Sequence, residues 1–286
     1  METPFPLFSN EILAAEGEPG RWDELHLYNG NRCNRACAFC CVHGGPEGEE
    51  RPWTEETLQC AARLVARRGS LKFYGGEPTL NPDNLGWAMK RLRELGFAGT
   101  LTIFSNGVRA RALLDLLESD PRAFAVLNYA IATGRGETPL PAASLRLLTQ
   151  FAATHPGRLF LSHDFLVPVG RQEGRAVRAE SAPPARCFHC FPTLTSTGRL
   201  HACPFAVEQD REHYRLGDLD TPAPQAMARF RRFQQWIDTT LEPAAAARAE
   251  NPCAVCAGRY APAFPAEYPS AHSICTEHLD RRAKSC

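Results

Sequence analysis

Three cysteines stand close together near the start of the chain, in the run Cys33-Asn-Arg-Ala-Cys37-Ala-Phe-Cys40. Three thiolates on one short loop reach three corners of a cubane iron–sulfur cluster and leave the fourth iron open to a small molecule. The competing chemistry is zinc, which takes four ligands, usually as C-x-x-C pairs with the remainder close by. Cys41 directly follows Cys40, and adjacent cysteines do not easily ligate one cluster, so it reads as a buried small residue. A second group follows much later: Cys187-Phe-His-Cys190, Cys203 and Cys253-Ala-Val-Cys256. Cys187, Cys190, Cys253 and Cys256 are two C-x-x-C pairs with the spacing of a structural zinc site. Cys60, Cys275 and Cys286 are isolated and read as free thiols; Cys286 would be reactive if exposed.

The elements that must position these residues are legible in pattern. Residues 24–29 alternate like a strand and lead into the first cysteine loop. Thr54 is placed to cap a helix over 55–68. Residues 71–74 form a short strand entering Gly75-Gly76-Glu77-Pro78. Asn81-Pro82 opens a helix carrying Leu85, Met89, Leu92 and Leu95, which Gly96 stops. A strand over 101–104 ends at Ser105-Asn106-Gly107. Then come a helix over 110–117, a strand over 125–132, a helix over 142–153 and a strand over 159–167. Strand–helix alternation repeated five times predicts an α/β fold with a parallel sheet or partial barrel over residues 20–169. Ligands of such sheets bind at the carboxyl ends of the strands, where all three early motifs stand. Residues 170–186 are rich in Gly, Arg, Pro and Ala and read as a linker. Residues 187–256 show short strands, turns and one helix near 226–240, and residues 257–286 an irregular tail.

Composition removes several function classes. Lys+Arg and Asp+Glu are both 32 in 286 residues, so no strong field draws nucleic acid or an anionic membrane. No apolar run approaches the ~20 residues of a spanning helix. The first residues lack the basic start and apolar middle of an export signal, which predicts a cytosolic protein and metal ligation rather than disulfides for the twelve cysteines.

The spacing C-x-x-x-C-x-x-C, with Phe39 before the last cysteine, resembles the radical S-adenosylmethionine (SAM) superfamily. The resemblance covers residues 24 to about 170 and implies a partial (β/α)6 barrel. It implies a [4Fe–4S] cluster on Cys33, Cys37 and Cys40, with the amino and carboxylate groups of SAM on the open iron. Reductive cleavage of SAM would then give methionine and a 5′-deoxyadenosyl radical that takes a hydrogen atom from the substrate. Phe39 matches the aromatic that lies near the adenine. Gly75, Gly76, Glu77 and Pro78 resemble the family's second motif, whose backbone and carboxylate hold the SAM amino group. Ser105-Asn106-Gly107 matches a turn near SAM. Asn128 is either a ribose contact or a satisfied core amide.

The second group is similar to the C-terminal twitch and SPASM extensions of that family: a cysteine, a hairpin running from Gly198 to Cys203, a Leu216-Gly turn, a helix and a C-x-x-C pair. The near cysteines of a full SPASM extension are absent after Cys256, which implies the shorter twitch form and one auxiliary [4Fe–4S] cluster over residues 187–256. Its implied ligands are Cys187, Cys203, Cys253 and Cys256, with Cys190 spare or exchanging with one of them. His189 and His201 flank these cysteines and are placed to shield the cluster.

His163 and Asp164 lie on the last predicted core strand, so one of them faces the lumen as an acid–base candidate; the alternative is a satisfied polar pair. Glu137, Tyr129 and His43 are weaker candidates. The resemblance implies a peptide or protein side chain as substrate, to be crosslinked, epimerised or oxidised. The alternative is a small-molecule alcohol or amino sugar dehydrogenated by two electrons. Either needs an external one-electron reductant such as flavodoxin or ferredoxin. A non-enzymatic iron–sulfur or zinc electron carrier is the remaining reading, against which the Gly75–Pro78 motif argues.

Overall fold

Buried apolar residues alternate along the early strands and recur at helical spacing between them, and the result, among the described residues, is one eight-stranded sheet. The computed structural model describes residues 4–8, 17–128, 132, 139–162, 187, 191–207, 214–247 and 256. The strands are β1 (Trp22–Tyr28), β2 (Val65–Tyr74), β3 (Thr100–Ser105), β4 (Ala123–Leu127), β5 (Leu159–Leu161), β6 (Thr193–Thr195), β7 (Arg199–His201) and β8 (Arg215–Asp218). Their order across the sheet is β5-β4-β3-β2-β1-β6-β7-β8. The first six are parallel to their neighbours, and β6–β7–β8 are antiparallel. This mixed α/β sheet has the form of a partial barrel.

The helices between the parallel strands are α1 (Glu55–Leu64), α2 (Pro82–Glu94), α3 (Ala110–Ser119) and α4 (Ala142–Thr154). Thr54 and Thr57 cap α1 reciprocally, each side chain meeting the other's backbone N–H. Asn81 caps α2 with Pro82 in its first turn, and Gly96, at φ +90°, ends it. There Gly96 N–H bonds Arg93 O and Phe97 N–H bonds Leu92 O, the paired bonds of a glycine-terminated helix. After β8 come α5 (Ala223–Trp236), a five-residue π turn (Ile237–Leu241) and α6 (Glu242–Ala246).

Several boundaries differ from the sequence expectation; strand β2, for one, begins at Val65 and not at 71. Helix α1 ends at Leu64, not 68: Val65 turns extended and pairs with Trp22. Residues 66–69 then bulge, because Ser70 pairs with Glu24; at Gly69 a Cβ would stand 2.5 Å from Asp23 O. Ladder pairing overrides the helix propensity of Arg67 and Arg68. Strand β4 ends at Leu127, not 132, and Ala132 N–H bonds Asn128 O instead.

Alternation along the strands divides the sheet into two faces. Leu25, Leu27, Leu71, Phe73, Leu101, Ile103, Leu194 and Leu200 are buried on the helix side, in one core with Trp22, Phe230 and Phe233. Truncating any one to Ala is expected to cost about 2–5 kcal/mol. The inner face is polar at one end and aromatic at the other. Glu24 Oε1 meets both His26 Nε2 and Lys72 Nζ at 2.7 Å. Lys72 lies over the rings of Phe8 and Phe191, and His26 stacks on Phe191. Burial works against the Glu24 carboxylate, but His26 and Lys72 outweigh it and hold its pKa below the ordinary value. Phe8, Phe104, Phe124, Val126 and Phe160 pack together at the β3–β5 end.

Candidate functional site

The cysteine loop leaves the carboxyl end of β1 and is held by backbone bonds on both sides. Arg32 N–H bonds Glu49 O at 3.0 Å, Cys33 N–H bonds Gly45 O at 2.9 Å, and Gly45 N–H bonds Asn31 O at 3.0 Å. On the β2 side, Gly76 N–H bonds Gly30 O at 2.8 Å and Glu77 N–H bonds Arg32 O at 2.9 Å. The two glycines permit this approach: a Cβ on Gly75 would stand 2.5 Å from Asn29 Oδ1, and one on Gly76 would collide with the Arg32 carbonyl. The Gly-Gly-Glu-Pro motif is therefore docked onto the strand-to-loop turn.

Glu77 joins the third motif to the second. Its Oε1 accepts from Thr79 N (3.1 Å), Thr79 Oγ1 (2.6 Å) and Ser105 Oγ (2.9 Å), and its Oε2 accepts from Asn106 N (2.7 Å). Burial pushes its pKa up, and these four donors pull against that shift. The carboxylate is thus committed to tying the two turns together. Asn106 reaches onward to the cysteine loop: Nδ2 donates to Asn34 Oδ1 at 2.8 Å and to Cys33 Sγ at 3.5 Å, while Oδ1 accepts from Val108 N at 2.9 Å. Asn34 and Thr79 carry no signal as single residues in the sequence; their position inside the two motifs is the signal.

The loop suits a cluster by its donors and its space. Gly44 N–H points at Cys40 Sγ from 3.0 Å, and a Cβ on Gly44 would press on that sulfur at 3.3 Å and on Cys33 Cβ at 3.4 Å. N–H groups aimed at sulfurs favour the thiolate that ligates iron. Cys37 and Cys40 are half-buried and Cys33 is buried. Phe39 and Cys37 pack at the margin of the main core. Burial, with Cys40 beside it, pushes the Cys41 thiol up to about 12. His43 takes a positive φ of 53° in this loop. Asn128, just past β4, donates its N–H to Ser105 O at 3.1 Å, which places it beside the third motif.

The second group is assembled across long stretches of chain. Cys187, Cys203 and Cys256 pack against the main core together. Burial drives the Cys203 thiol well above its ordinary pKa, and the nearby Cys187 and Cys256 thiols add to the rise. Cys187 N–H donates to Glu242 Oε1 at 2.9 Å, at the start of α6, where the π turn has just rewound the helix. The Tyr214 hydroxyl lies 2.9 Å from Cys256 Sγ. Neither Tyr214 nor Glu242 carries a motif. Cys190, Cys253, His163, Asp164, Tyr129, Glu137, His189, Cys275 and Cys286 lie outside the described residues. Among the described residues no three His, Cys, Asp or Glu side chains converge as ligands of one metal ion; a cubane takes one thiolate per iron instead.

A polar cleft of about 420 Å³ opens beside the carboxyl end of β1 and the β6–β7 hairpin. Tyr28, Thr195, Arg199 and His201 of the sheet form one wall, and the chain around Glu49 and Arg51 forms the other. Tyr28 belongs to a buried cluster with Val42 and Val207, against which Cys40 and Cys41 pack. His201, two residues before Cys203, is buried; burial first, then Arg215 and Arg199, lower its pKa to about 4.

Comparison with known proteins agrees with the fold. BtrN in complex with AdoMet and 2-DOIA is similar at a TM-score of 0.51 and 18% identity, over 76% of this chain and 87% of that one. Native anSMEcpe with bound AdoMet and a Kp18Cys peptide is similar at a TM-score of 0.53 and 13% identity, over 71% of this chain and 80% of that one. These likenesses establish the fold. No curated protein matches the chain. Among the described residues no helix is long and apolar enough to cross a membrane. The radical SAM superfamily model matches residues 28–134, a span that holds the cysteine loop, the Gly-Gly-Glu-Pro motif and the Ser-Asn-Gly turn.

Proposed function

We propose that this chain is a radical SAM enzyme that cleaves SAM reductively and abstracts a substrate hydrogen with help from an auxiliary [4Fe–4S] cluster. One observation carries the reading: three motifs far apart in sequence are tied into one unit, Cys33 to Asn106 to Glu77 to the Gly75–Gly76 turn. A pure electron carrier has no use for the second and third of them. Cys33, Cys37 and Cys40 would hold the first cluster, which would pass one electron from an external reductant to bound SAM and so give methionine and a 5′-deoxyadenosyl radical. The backbone at Gly75 and Gly76 would face the SAM amino group, while Glu77 holds that backbone in place. Phe39 and Asn128 are the candidates for adenine and ribose. Cys187, Cys203, Cys253 and Cys256 would hold the auxiliary cluster, with Cys190 the exchange candidate. His163 and Asp164 remain the acid–base candidates.

The substrate is read first as a peptide or protein side chain, which would be crosslinked, epimerised or oxidised. The cleft favours a second reading alongside it, since its volume and its Tyr, Thr and Arg lining also suit a small-molecule alcohol or amino sugar undergoing two-electron dehydrogenation. The test is anaerobic reconstitution with iron and sulfide, a low-potential reductant and SAM. The expected result is 5′-deoxyadenosine and about eight irons per chain from two cubanes. About four irons with zinc making up the remainder would return the second group to a zinc site. No 5′-deoxyadenosine from a chain that holds its first cluster would overturn the enzyme.

A further inference from the structure

Tyr214 stands immediately before β8, is only 3% exposed, and is immobilised on both sides. Its carbonyl accepts the Ala202 N–H at 2.8 Å, which locks it beside Cys203, and its ring meets the Phe233 ring edge-on at 5.6 Å. Its hydroxyl lies 2.9 Å from Cys256 Sγ and 3.3 Å from the Cys256 carbonyl oxygen. A thiolate bound to iron has no proton to give, so the tyrosine supplies the hydrogen of the shorter contact. Burying a tyrosine hydroxyl costs free energy unless it finds a partner, and here the nearest partner is a cysteine sulfur.

We infer that Tyr214 is a positioning residue for the auxiliary cluster, whose hydroxyl donates to the Cys256 thiolate and sets the reduction potential of that cluster. This rests on the proposed reading of the second cysteine group. Reduction adds negative charge that spreads onto the sulfurs, so a donor aimed at one of them stabilises the reduced form and raises the potential. Glu242 makes the contrasting contact. It accepts from the Cys187 backbone N–H at 2.9 Å and so holds the chain through the backbone.

The experiment is an EPR-monitored redox titration of the reconstituted full-length holoenzyme, as wild type, Tyr214→Phe and Glu242→Gln, with the two cluster signals separated by their response to added SAM. Iron is counted in each sample. The expected result is unchanged iron in Tyr214→Phe, with the auxiliary signal shifted to a more negative potential and the first cluster unmoved. Glu242→Gln removes a carboxylate charge beside Cys187 and should move the auxiliary signal the opposite way, to a less negative potential. Unchanged iron and an unchanged auxiliary potential in Tyr214→Phe would overturn the inference. If Tyr214→Phe loses the second cluster outright, Tyr214→His decides: recovered iron shows that a donor is required, and continued loss shows that only the ring mattered and sinks the proposal. A wild-type chain with no second cluster is a separate failure, that of the auxiliary-cluster reading itself.

Discussion

The two cysteine groups are built in opposite ways. The first is local: Cys33, Cys37 and Cys40 share one loop, and the sheet needs only to grip that loop through backbone bonds at β1 and β2 and through Asn106 after β3. The second is tertiary: Cys187, Cys203 and Cys256 come from separate segments and meet only because β6–β8 and α5–α6 are folded against β1 and α1. Arg63 of α1 shows that joining directly, donating to Leu219 O at 2.7 Å. A local site is specified by spacing and survives as a motif. A tertiary site is specified by everything that packs around it, so it is harder to read and easier to loosen.

The comparison breaks most sharply at the first group. Cys33→Ala, Cys37→Ala or Cys40→Ala should reduce 5′-deoxyadenosine formation to background while iron in the second group persists. Retained SAM cleavage in any of the three would remove the first loop from its assigned role. The complementary experiment is Cys203→Ala, which should keep 5′-deoxyadenosine formation while product falls severely. Measuring both products in one sample, with a melting curve, separates lost electron transfer from a loosened fold. A smaller effect is expected where the motifs are tied. Glu77→Gln turns an amide N–H toward donors that now meet a carboxylate, and should cost about 2–4 kcal/mol of stability along with part of the SAM cleavage. An unchanged melting temperature would show that the tie is dispensable.

The smallest effect is on stability alone. His201 has a native pKa near 4 against an ordinary 6.5, so the folded state keeps it neutral while the unfolded chain takes up a proton. Its contribution is therefore complete above about pH 6.5 and is lost as pH falls toward about 4, an effect on the order of 1–3 kcal/mol. His201→Gln should flatten the melting temperature between pH 7 and 4 relative to wild type. Identical pH curves for the two proteins would contradict the burial argument.

How much was legible follows the same division. The caps at Thr54 and Asn81, the stop at Gly96 and all three early motifs were readable because each depends on residues a few positions apart. The ends of α1 and β4 were not, because Val65 is claimed by Trp22 across the ladder and Asn128 by Ser105. The commitment of Glu77 to four donors was also hidden: the sequence offers a carboxylate in a SAM motif, and only the fold brings Ser105 and Asn106 around it. Tyr214 and Glu242 left no trace at all, since nothing local distinguishes a tyrosine beside a distant cysteine from one in any core. Phe8 is a further case, joining the aromatic end of the inner face from the far side of β5, where Leu7 bridges Leu161.

Strand β6 lies parallel to β1, with His26 opposite Thr193, and β7 then runs back to put His201 opposite Thr193 in turn. The sheet is therefore a ruler. Neighbouring strands stand about 4.8 Å apart, so Cys203 leaves the ladder two rungs from the strand that launches the first cysteine loop, level with the middle of β1. The interval between the two groups is written in hydrogen-bond register and not in length of chain. A slip of β6 by a single residue against β1 would turn Thr193 and Thr195 to the helix side and throw the second group out of step with the first.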